Sequence, residues 1–344
     1  MKVGMYYNNS KVLVEEMPVP EVHDDDLLLK VNACGICGSD IMEWYRIKKA
    51  PLVLGHEITG EIVETGKNVK KFKKGDRVFS THHVPCNECY YCITGHETAC
   101  ETFHTKNNFS PGGFAEYLRV SGKSVDTGTI KLPDDVSYEQ GTFIEPLGTV
   151  VRGLRRAELK PGDSVLVLGS GLAGLLNINL SKALGAGRII STDVNDYRLN
   201  AAKIFGAEYA FNAKEDIQKL VRNANEGRLA DKVIVCTGSL SAMSQALQSV
   251  ERGGTILFFA VPKPEELVSI DLNPYWRNDI SIKTSYGAAP LDNKQALELI
   301  RAKNVDVDEM ITQRLSLEEI AEGFRLASEG KECLKVVIKP HKNE

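Results

Sequence analysis

Between residues 163 and 290 the sequence alternates short apolar segments, typical of strands, with helical segments. We predict strands at 164–168, 188–192, 209–212, 232–236, 255–260 and 281–285, and helices at 172–184, 196–205, 217–225 and 241–250. Strands that alternate with helices at this spacing favour a parallel sheet with helices on both faces. The sequence therefore predicts an α/β fold with a doubly wound domain over residues 151–289.

The first predicted strand of this domain runs directly into Gly169-Ser170-Gly171-Leu172-Ala173-Gly174, which opens a helix. Gly169 permits a tight turn, Gly171 lets the backbone approach a pyrophosphate, and Gly174 allows close packing of helix and strand. Asp193 ends the next strand, where a carboxylate can accept hydrogen bonds from the ribose hydroxyls of adenosine. A glycine-rich turn alone can be only a turn, but strand, motif, helix and acid together predict a dinucleotide site.

The regions before residue 151 and after residue 289 have a different pattern of predicted elements. Short strands separated by Gly, Pro and Asp are predicted at 27–31, 58–64, 77–79 and 114–120, and residues after 290 add helices at 293–302 and 317–327 and a strand at 334–339. The net charge is −4, no run approaches 18 apolar residues, and the N-terminal residues lack the pattern of a secretory signal. We expect a cytoplasmic globular protein without a nucleic-acid or membrane partner.

Four cysteines lie within fifteen residues: Cys86, Cys89 and Cys92, in the spacing C-x2-C-x2-C, and Cys100. Thiolates brought together on a tight turn favour a four-sulfur structural zinc site. Disulfides are the alternative, but they are typical of small secreted domains. The closed four-ligand set predicts a folding role, because it leaves no position for substrate.

A second candidate metal site combines Cys37, His56 with Glu57, and Glu145. Cys37 and His56 each lie in a glycine-containing turn. A thiolate, an imidazole and a carboxylate form a three-ligand set that leaves zinc one open position, as in catalytic sites. The spacing along the chain does not establish that these distant residues meet.

Several motifs occur in an order that resembles the zinc-dependent medium-chain dehydrogenase/reductase family, which includes alcohol and polyol dehydrogenases. They are CGICGSD (34–40), GHEITGEIVETGKNV (55–69), GDRV (75–78), the four-cysteine segment (86–100), GGFAEY (112–117), EPLG (145–148) and GSGLAG (169–174). The resemblance implies a GroES-like β-rich catalytic domain over 1–150, completed by 290–344, with the Rossmann domain inserted between them. It also implies a homotetramer or homodimer.

The resemblance further implies roles for individual residues. Catalytic zinc is expected on Cys37, His56 and a carboxylate, with Glu145 in the third-ligand position and Glu57 as an alternate ligand. Ser39 matches the hydroxyl that takes the substrate proton, and Asp40 resembles a residue that orients the site. Many relatives have a histidine where this chain has Met42, so the outer proton route differs, through water or through Glu43.

For the cofactor, the resemblance implies that loops following three strands face the nicotinamide, at Cys236 and Thr237, Ala260 and Val261, and Ser285 and Tyr286. Arg198 matches an arginine that commonly lies along the adenine. Asp193 predicts a preference for NAD over NADP, because a 2′-phosphate would meet a like charge.

The implied activity is transfer of a hydride from a polyol, sugar or secondary alcohol to NAD, with two zincs per subunit, one catalytic and one structural. The alternative is a threonine 3-dehydrogenase-like activity, because His83 lies where that group has a histidine near the active-site mouth. The Cys37/His56 pair disfavours a zinc-free quinone reductase-like member. The acidic charge disfavours a zinc-ribbon nucleic-acid module.

Overall fold

The computed structural model describes residues 1–341, and the chain forms two compact units. One unit combines Met1–Gly148 with the C-terminal segment that starts at Ala288, and the other is Thr149–Gly287. The boundaries predicted at 150 and 290 lie two residues from these. No helix within residues 1–341 is long and apolar enough to span a membrane.

The strands that precede the second unit are short and mostly antiparallel. They are β1 (Lys2–Asn8), β2 (Lys11–Glu16), β3 (Leu27–Gly35), β4 (Leu52–Val53), β5 (Glu57–Thr65), β6 (Arg77–Ser80), β7 (Phe109–Ser110), β8 (Tyr117–Val120) and β9 (Thr129–Lys131). The helices of this part are α1 (Glu43–Arg46), α2 (Tyr90–Ile93), α3 (Glu101–Thr105) and α4 (Tyr138–Gly141), and α5 (Ile144–Arg156) begins here and ends within the second unit. The strand predicted at 114–120 forms only from Tyr117. The backbone N–H of Phe114 instead donates to the Leu54 carbonyl, and the Phe114 carbonyl accepts from the Gly4 N–H.

Thr149–Gly287 contains a six-stranded parallel sheet in the order β12-β11-β10-β13-β14-β15. Its strands are β10 (Ser164–Leu168), β11 (Arg188–Asp193), β12 (Tyr209–Asn212), β13 (Ala230–Val235), β14 (Val250–Phe258) and β15 (Ser281–Thr284). Its helices are α6 (Leu172–Ala183), α7 (Asp196–Ile204), α8 (Ile217–Ala224), α9 (Leu240–Ser249) and α10 (Leu272–Arg277). This is the strand order of the dinucleotide-binding Rossmann fold.

The predicted strands and helices of this unit are confirmed, with most ends within two residues, although β14 starts five residues early. Every residue of β10 is buried, as expected for a central parallel strand covered on both faces. Helix α10 was not predicted.

The chain then returns to the first unit with α11 (Pro290–Arg301), β16 (Ile311–Ser316), α12 (Ile320–Glu329) and β17 (Lys335–Lys339). Strand β17 pairs with β16 on one side and with β3 on the other, and β3 pairs in turn with β5. The last strand of the chain is therefore a neighbour of the strand that leads to Cys37. An apolar core lies beneath this sheet and includes Tyr6, Phe114 and Phe324.

Candidate active site

The register of β3 and β5 brings Cys37 and His56 to the same end of the sheet. Gly35, the last residue of β3, lies directly opposite Glu57, the first residue of β5. Cys37 follows one strand end by two residues, and His56 precedes the other by one. One ligand atom from each of Cys37, His56 and Glu57 lies within 4.8 Å of the others.

The turn before His56 requires a glycine. Gly55 has a φ of +95°, and a Cβ on this residue would lie 2.8 Å from both the Cys34 Sγ and the backbone nitrogen of Phe114. A larger residue would be strained and would displace the segment that delivers the imidazole.

Asp40 orients both Cys37 and His56. The Asp40 carboxylate is fully buried, and its Oδ1 lies 3.4 Å from His56 Nδ1. Its Oδ2 accepts a hydrogen bond from the backbone N–H of Cys37 at 3.1 Å. An imidazole whose Nδ1 faces a carboxylate offers Nε2 to a metal. Burial alone would raise the pKa of Asp40, but His56 and Arg46 lower it below its usual value.

The charges around His56 favour a cation. Burial alone would lower the pKa of His56, but the negative charges of Asp40 and Cys37 raise it well above its usual value. A site that attracts a proton so strongly in this position will also attract a metal ion, which competes with that proton.

Ser39 is held between Cys37 and Arg46. Its backbone N–H and its hydroxyl each lie 3.4 Å from Cys37 Sγ, and the Arg46 guanidinium donates to the Ser39 hydroxyl at 3.0 Å and to its carbonyl at 2.9 Å. The sequence did not reveal this role of Arg46. Glu43 is exposed in this structure, so it does not turn inward as the alternative proton route requires.

Lys335 is a site residue that the sequence did not reveal. Its ammonium, at the start of β17, donates to the Glu57 carboxylate and also to the Ile36 carbonyl at 3.1 Å. A Cβ at Gly35 would collide with both side chains of this pair, so the glycine makes room for it. The other Glu57 oxygen, Oε1, is buried without a hydrogen-bond partner among the described residues.

Glu145 lies on α5, outside the 4.8 Å group. It is nevertheless close enough to interact electrostatically with His56, Glu57 and Lys335. Burial raises the pKa of Glu145 to about 7, an effect that His56 partly opposes. The structure thus brings Glu57 rather than Glu145 next to Cys37 and His56.

The donor set fits zinc. Thiolate, imidazole and carboxylate are the three ligand types that zinc uses in catalytic sites. The unpartnered Oε1 of Glu57 is an acceptor in a buried position, which a cation would satisfy.

The four cysteines of the predicted structural site also come together. Ligand atoms of Cys86, Cys89, Cys92 and Cys100 all lie within 4.8 Å of one another. The backbone N–H of Cys86 donates to Cys100 Sγ, and that of Cys89 donates to Cys86 Sγ, both at 3.3 Å. All four are free thiols rather than disulfides. Four sulfurs close together are the ligand set that a structural zinc prefers.

In the second unit, the glycine motif has the geometry that a dinucleotide site needs. Gly169 turns with a φ of +94°, and a Cβ on Gly174 would collide with the Gly169 carbonyl oxygen. Gly171 caps α6 without a side-chain hydrogen bond, and the space next to its Cα is open. The first N–H groups of α6, including those of Leu172 and Ala173, are therefore available to an anion.

Asp193 ends β11 beside this turn and is almost fully buried. Its carboxylate accepts the backbone N–H of Ser170 at 2.8 Å and that of Asn195 at 3.0 Å. An Arg198 Nη1 lies 4.0 Å from the same carboxylate. Asp193 thus ties the glycine turn to the end of the neighbouring strand and keeps further acceptor positions on its oxygens.

The other predicted cofactor residues follow the carboxyl ends of β13, β14 and β15, on the same edge of the sheet. They are Cys236 and Thr237, Ala260 and Val261, and Ser285 and Tyr286. Thr237 lies against the glycine turn, since a Cβ on Gly169 would approach its Cβ to 3.1 Å. Val261 and Tyr286 are exposed, whereas the Ser285 hydroxyl is buried without a partner among residues 1–341.

Comparison with known proteins agrees with this geometry. Residues 23–134 match the model of the alcohol dehydrogenase GroES-like domain, and residues 173–302 match that of zinc-binding dehydrogenases. The chain is 32% identical to sorbitol dehydrogenase of Bacillus subtilis, over 99% of this chain and 98% of that one. It is 33% identical to L-threonine 3-dehydrogenase of Bacillus velezensis, over 95% of each chain. The alcohol dehydrogenase TADH from Thermus sp. ATN1 superposes with a TM-score of 0.88 at 30% identity, covering 98% of this chain and 99% of that one.

The fold and the donor sets define a zinc-dependent oxidoreductase that acts on alcohols or polyols with a nicotinamide cofactor. The chain belongs to the medium-chain dehydrogenase/reductase family, with a GroES-like unit and a Rossmann-type unit.

Proposed function

We propose that the chain oxidises a secondary carbinol of a polyol, sugar or secondary alcohol to a ketone, or a primary one to an aldehyde, and transfers the hydride to NAD. The observation that carries this proposal is the Cys37–His56–Glu57 donor set with the Ser39 hydroxyl beside it. What a bound zinc supplies is Lewis acidity that favours alkoxide over alcohol. What the nicotinamide supplies is a hydride acceptor.

The protein's own groups handle the proton. A hydroxyl has one donor and two acceptor positions, and Arg46 occupies one acceptor position of Ser39. The remaining acceptor position can take the proton of the substrate hydroxyl, and the Ser39 proton then passes outward to water. Because Arg46 holds the serine by two contacts, the hydroxyl stays in one place during this transfer.

The metal content that we propose is two zincs per subunit, one catalytic and one structural. The catalytic set is Cys37, His56 and a carboxylate. Glu57 is favoured in this conformation by its place in the 4.8 Å group, and Glu145 is the alternate ligand from α5. The structural set is the four-cysteine cluster.

NAD rather than NADP is the proposed cofactor. Asp193 is a buried carboxylate at the end of β11, and a 2′-phosphate next to it would meet a like charge. The Arg198 guanidinium lies 4.0 Å from this carboxylate, so its positive charge is already balanced by Asp193.

We further propose a homodimer or homotetramer in the cytoplasm. Strand β15 is the last strand of its sheet, and its Ile282 is 40% exposed. An unpaired strand edge with exposed apolar side chains favours pairing with the same edge of a second copy. Light scattering on the purified protein tests the assembly, and a monomeric mass would refute it.

The proposed location in the cytoplasm rests on the cysteines. They are free thiols, and thiols that bind zinc rather than form disulfides favour a reducing compartment.

The test of the reaction is a substrate panel of polyols, sugars, secondary alcohols and threonine, with NADH formation as the readout. Turnover of at least one alcohol or polyol, abolished by Cys37→Ala, supports the proposal. Activity confined to threonine would instead favour the threonine 3-dehydrogenase alternative, to which the similarity of the Bacillus velezensis enzyme and the position of His83 both point.

A further inference from the structure

The loop between β3 and α1, residues 36–42, delivers Cys37, Ser39 and Asp40 to the candidate site. We call it the Cys37 loop. At its beginning, a backbone hydrogen bond of 3.0 Å to the Val336 carbonyl of β17 ties the loop to the sheet. Its other end pairs with no strand among the described residues, so another group must hold it there.

Asn9 supplies this second anchor from the N-terminal hairpin. It lies in the turn between β1 and β2, and its side-chain Nδ2 donates to the Ile41 carbonyl at 2.8 Å. The Tyr6 hydroxyl donates to Asn9 Oδ1, also at 2.8 Å. A carbonyl only accepts hydrogen bonds, whereas a hydroxyl can donate one. These two neighbours therefore fix which side of the Asn9 amide faces which group.

Tyr6 holds Asn9 from within the core. Its side chain is fully buried, and its ring centroid lies 5.7 Å from that of Phe324. Its strand, β1, pairs with β2 on one side and with β4 on the other. The hydrogen bonds from Tyr6 to Asn9 and from Asn9 to Ile41 thus connect a rigid part of the core to the end of the Cys37 loop.

The Ile41 carbonyl lies at the junction between two groups that hold the candidate site. On one side is Asp40, which orients two candidate zinc ligands. On the other side α1 begins, where the Met42 carbonyl accepts the backbone N–H of Arg46 at 3.1 Å. Arg46 in turn donates to the Ser39 hydroxyl and lies 3.5 Å from the Asp40 carboxylate. A shift of Ile41 would therefore change the positions of Asp40 and Arg46 relative to each other.

We propose that Asn9 is a positioning residue for the oxidation of the alcohol. By fixing the Ile41 carbonyl, it keeps Asp40 and Arg46 in place together, and through them the Ser39 hydroxyl. The inference rests on the proposed function, in which this hydroxyl takes the proton of the substrate. Because Asn9 acts through the backbone of the loop rather than on a substrate, its loss should lower kcat more than it raises KM.

The first experiment measures kcat and KM of the zinc-loaded enzyme with NAD on sorbitol and butane-2,3-diol or, if neither reacts, on the best alcohol of the substrate panel. Asn9→Leu should lower kcat about three- to tenfold, the range that loss of a neutral hydrogen bond supplies, and change KM for NAD by less than about twofold. Asn9→Asp keeps the acceptor for Tyr6 but loses the donor for Ile41, so its kcat should fall as much. Asn8→Leu is the matched control and should keep kcat within about twofold, because the Asn8 side chain bonds the Ser10 N–H of its own turn at 2.9 Å.

A double-mutant cycle tests the chain of contacts. Tyr6→Phe should lower kcat by less than Asn9→Leu does, because Asn9 can still donate to Ile41. In the Asn9→Leu background, the same change of Tyr6 should lower kcat no further, because Tyr6 acts through Asn9. Equal losses from Tyr6→Phe in both backgrounds would overturn this chain of contacts.

Amide hydrogen exchange on the zinc-loaded, full-length chain gives a readout besides activity. The N–H groups of Cys37 and Asp40 bond within the Cys37 loop, so they should exchange faster in Asn9→Leu, while those of β3 exchange as in the wild type. Faster exchange throughout β3, unchanged exchange in the loop, or an unchanged kcat would overturn the role of Asn9 and leave the proposed function intact. A wild type that oxidises no alcohol of the panel would overturn the proposed function, and the exchange rates would still decide whether Asn9 holds the loop.

Discussion

Lys335 donates a hydrogen bond to Glu57 in a place that solvent does not reach. The side chains of Lys335 and Glu57 are 0% and 1% exposed, and the Ile36 carbonyl accepts a second hydrogen bond from the ammonium. A buried ion pair stabilises a fold little more than an apolar pair of similar volume. Removal of one partner is nevertheless costly, because it leaves the other charge buried and uncompensated. The last strand of the chain therefore balances the charge of a candidate metal ligand.

Lys335→Met should destabilise the protein by about 3–5 kcal/mol in urea unfolding, the usual cost of breaking a buried pair. Lys339→Met is the matched control on the same strand. Lys339 is partly exposed and pairs with Glu139 at 3.1 Å, so its loss should cost less than about 1 kcal/mol. A similar loss of unfolding free energy in the two variants would contradict the argument that burial makes the Lys335–Glu57 pair costly to break.

The same pair predicts a loss of stability at high pH. Burial lowers the pKa of Lys335, but Glu57 and Cys37 outweigh it, so the pKa is raised above 10.5. The contribution of the pair is fully present below the unfolded-state pKa and is lost as pH rises through the raised folded-state value. Urea unfolding of wild type and Lys335→Met should therefore converge above that pH, and a constant difference between them would refute this.

Metal analysis should give two zincs per chain in gently purified protein. Cys37→Ala should retain one zinc, remain folded and lose turnover, because it removes a ligand of the open site. Cys89→Ala should also retain one zinc but lose stability, because the closed site supports local folding. One zinc or none in the wild type would contradict the assignment of both sites.

Zinc uptake by the metal-stripped enzyme should depend on pH through His56. Since the pKa of His56 is raised, the metal-free site holds a proton that zinc must displace, and affinity should fall about tenfold per pH unit below that pKa. Among the neighbouring charges, Asp40 raises the pKa of His56 most. In Asp40→Asn, the fall of zinc affinity should therefore begin at a lower pH than in the wild type. Isothermal titration calorimetry in buffers of different ionisation enthalpy counts the protons that are released when zinc binds. A count of zero would exclude displacement of the His56 proton by zinc.

Asp193→Ser should narrow or reverse the preference of kcat/KM for NAD over NADP, because it removes the negative charge that a 2′-phosphate would meet. Asp196→Ser, in the first turn of α7, is the control and should leave the ratio unchanged. Steady-state kinetics with both cofactors decide the matter. Equal use of NAD and NADP by the wild type would refute the role of Asp193.

Ser39→Ala should lower kcat by about a hundredfold or more, the order of a general acid–base contribution. Met42→His should alter the pH profile only modestly, because Arg46, rather than a histidine, holds the serine in this chain. Equally small effects of both substitutions would remove Ser39 from the proton route.

The sequence alone predicted the parallel sheet, the glycine turn and the four-cysteine cluster, because each depends on residues that are close together in the chain. Cys37 and His56 were also foreseen, since glycine-containing turns mark both positions. The choice between Glu57 and Glu145 as the neighbouring carboxylate was left open, because it depends on the register of β3 and β5.

Lys335 was not identified for a related reason. It is 278 residues away from Glu57 in the chain, and a lysine at the start of a strand resembles many exposed ones. Only the sheet order, which places β17 beside β3, reveals that it is buried. The contact between the rings of His56 and His82 was not predicted either, because it follows from folding rather than from spacing.

The position of β17 has a consequence for biosynthesis. The ribosome releases the chain from its N-terminus, so all strands of the Rossmann-type unit emerge before β17 does. Until β17 emerges, β3 lacks one of its neighbours, and the carboxylate of Glu57 has no counterion from Lys335. A nascent chain can therefore complete its nucleotide-binding unit while its metal-holding unit is still unfinished, and a chain cut short before β17 cannot complete that unit.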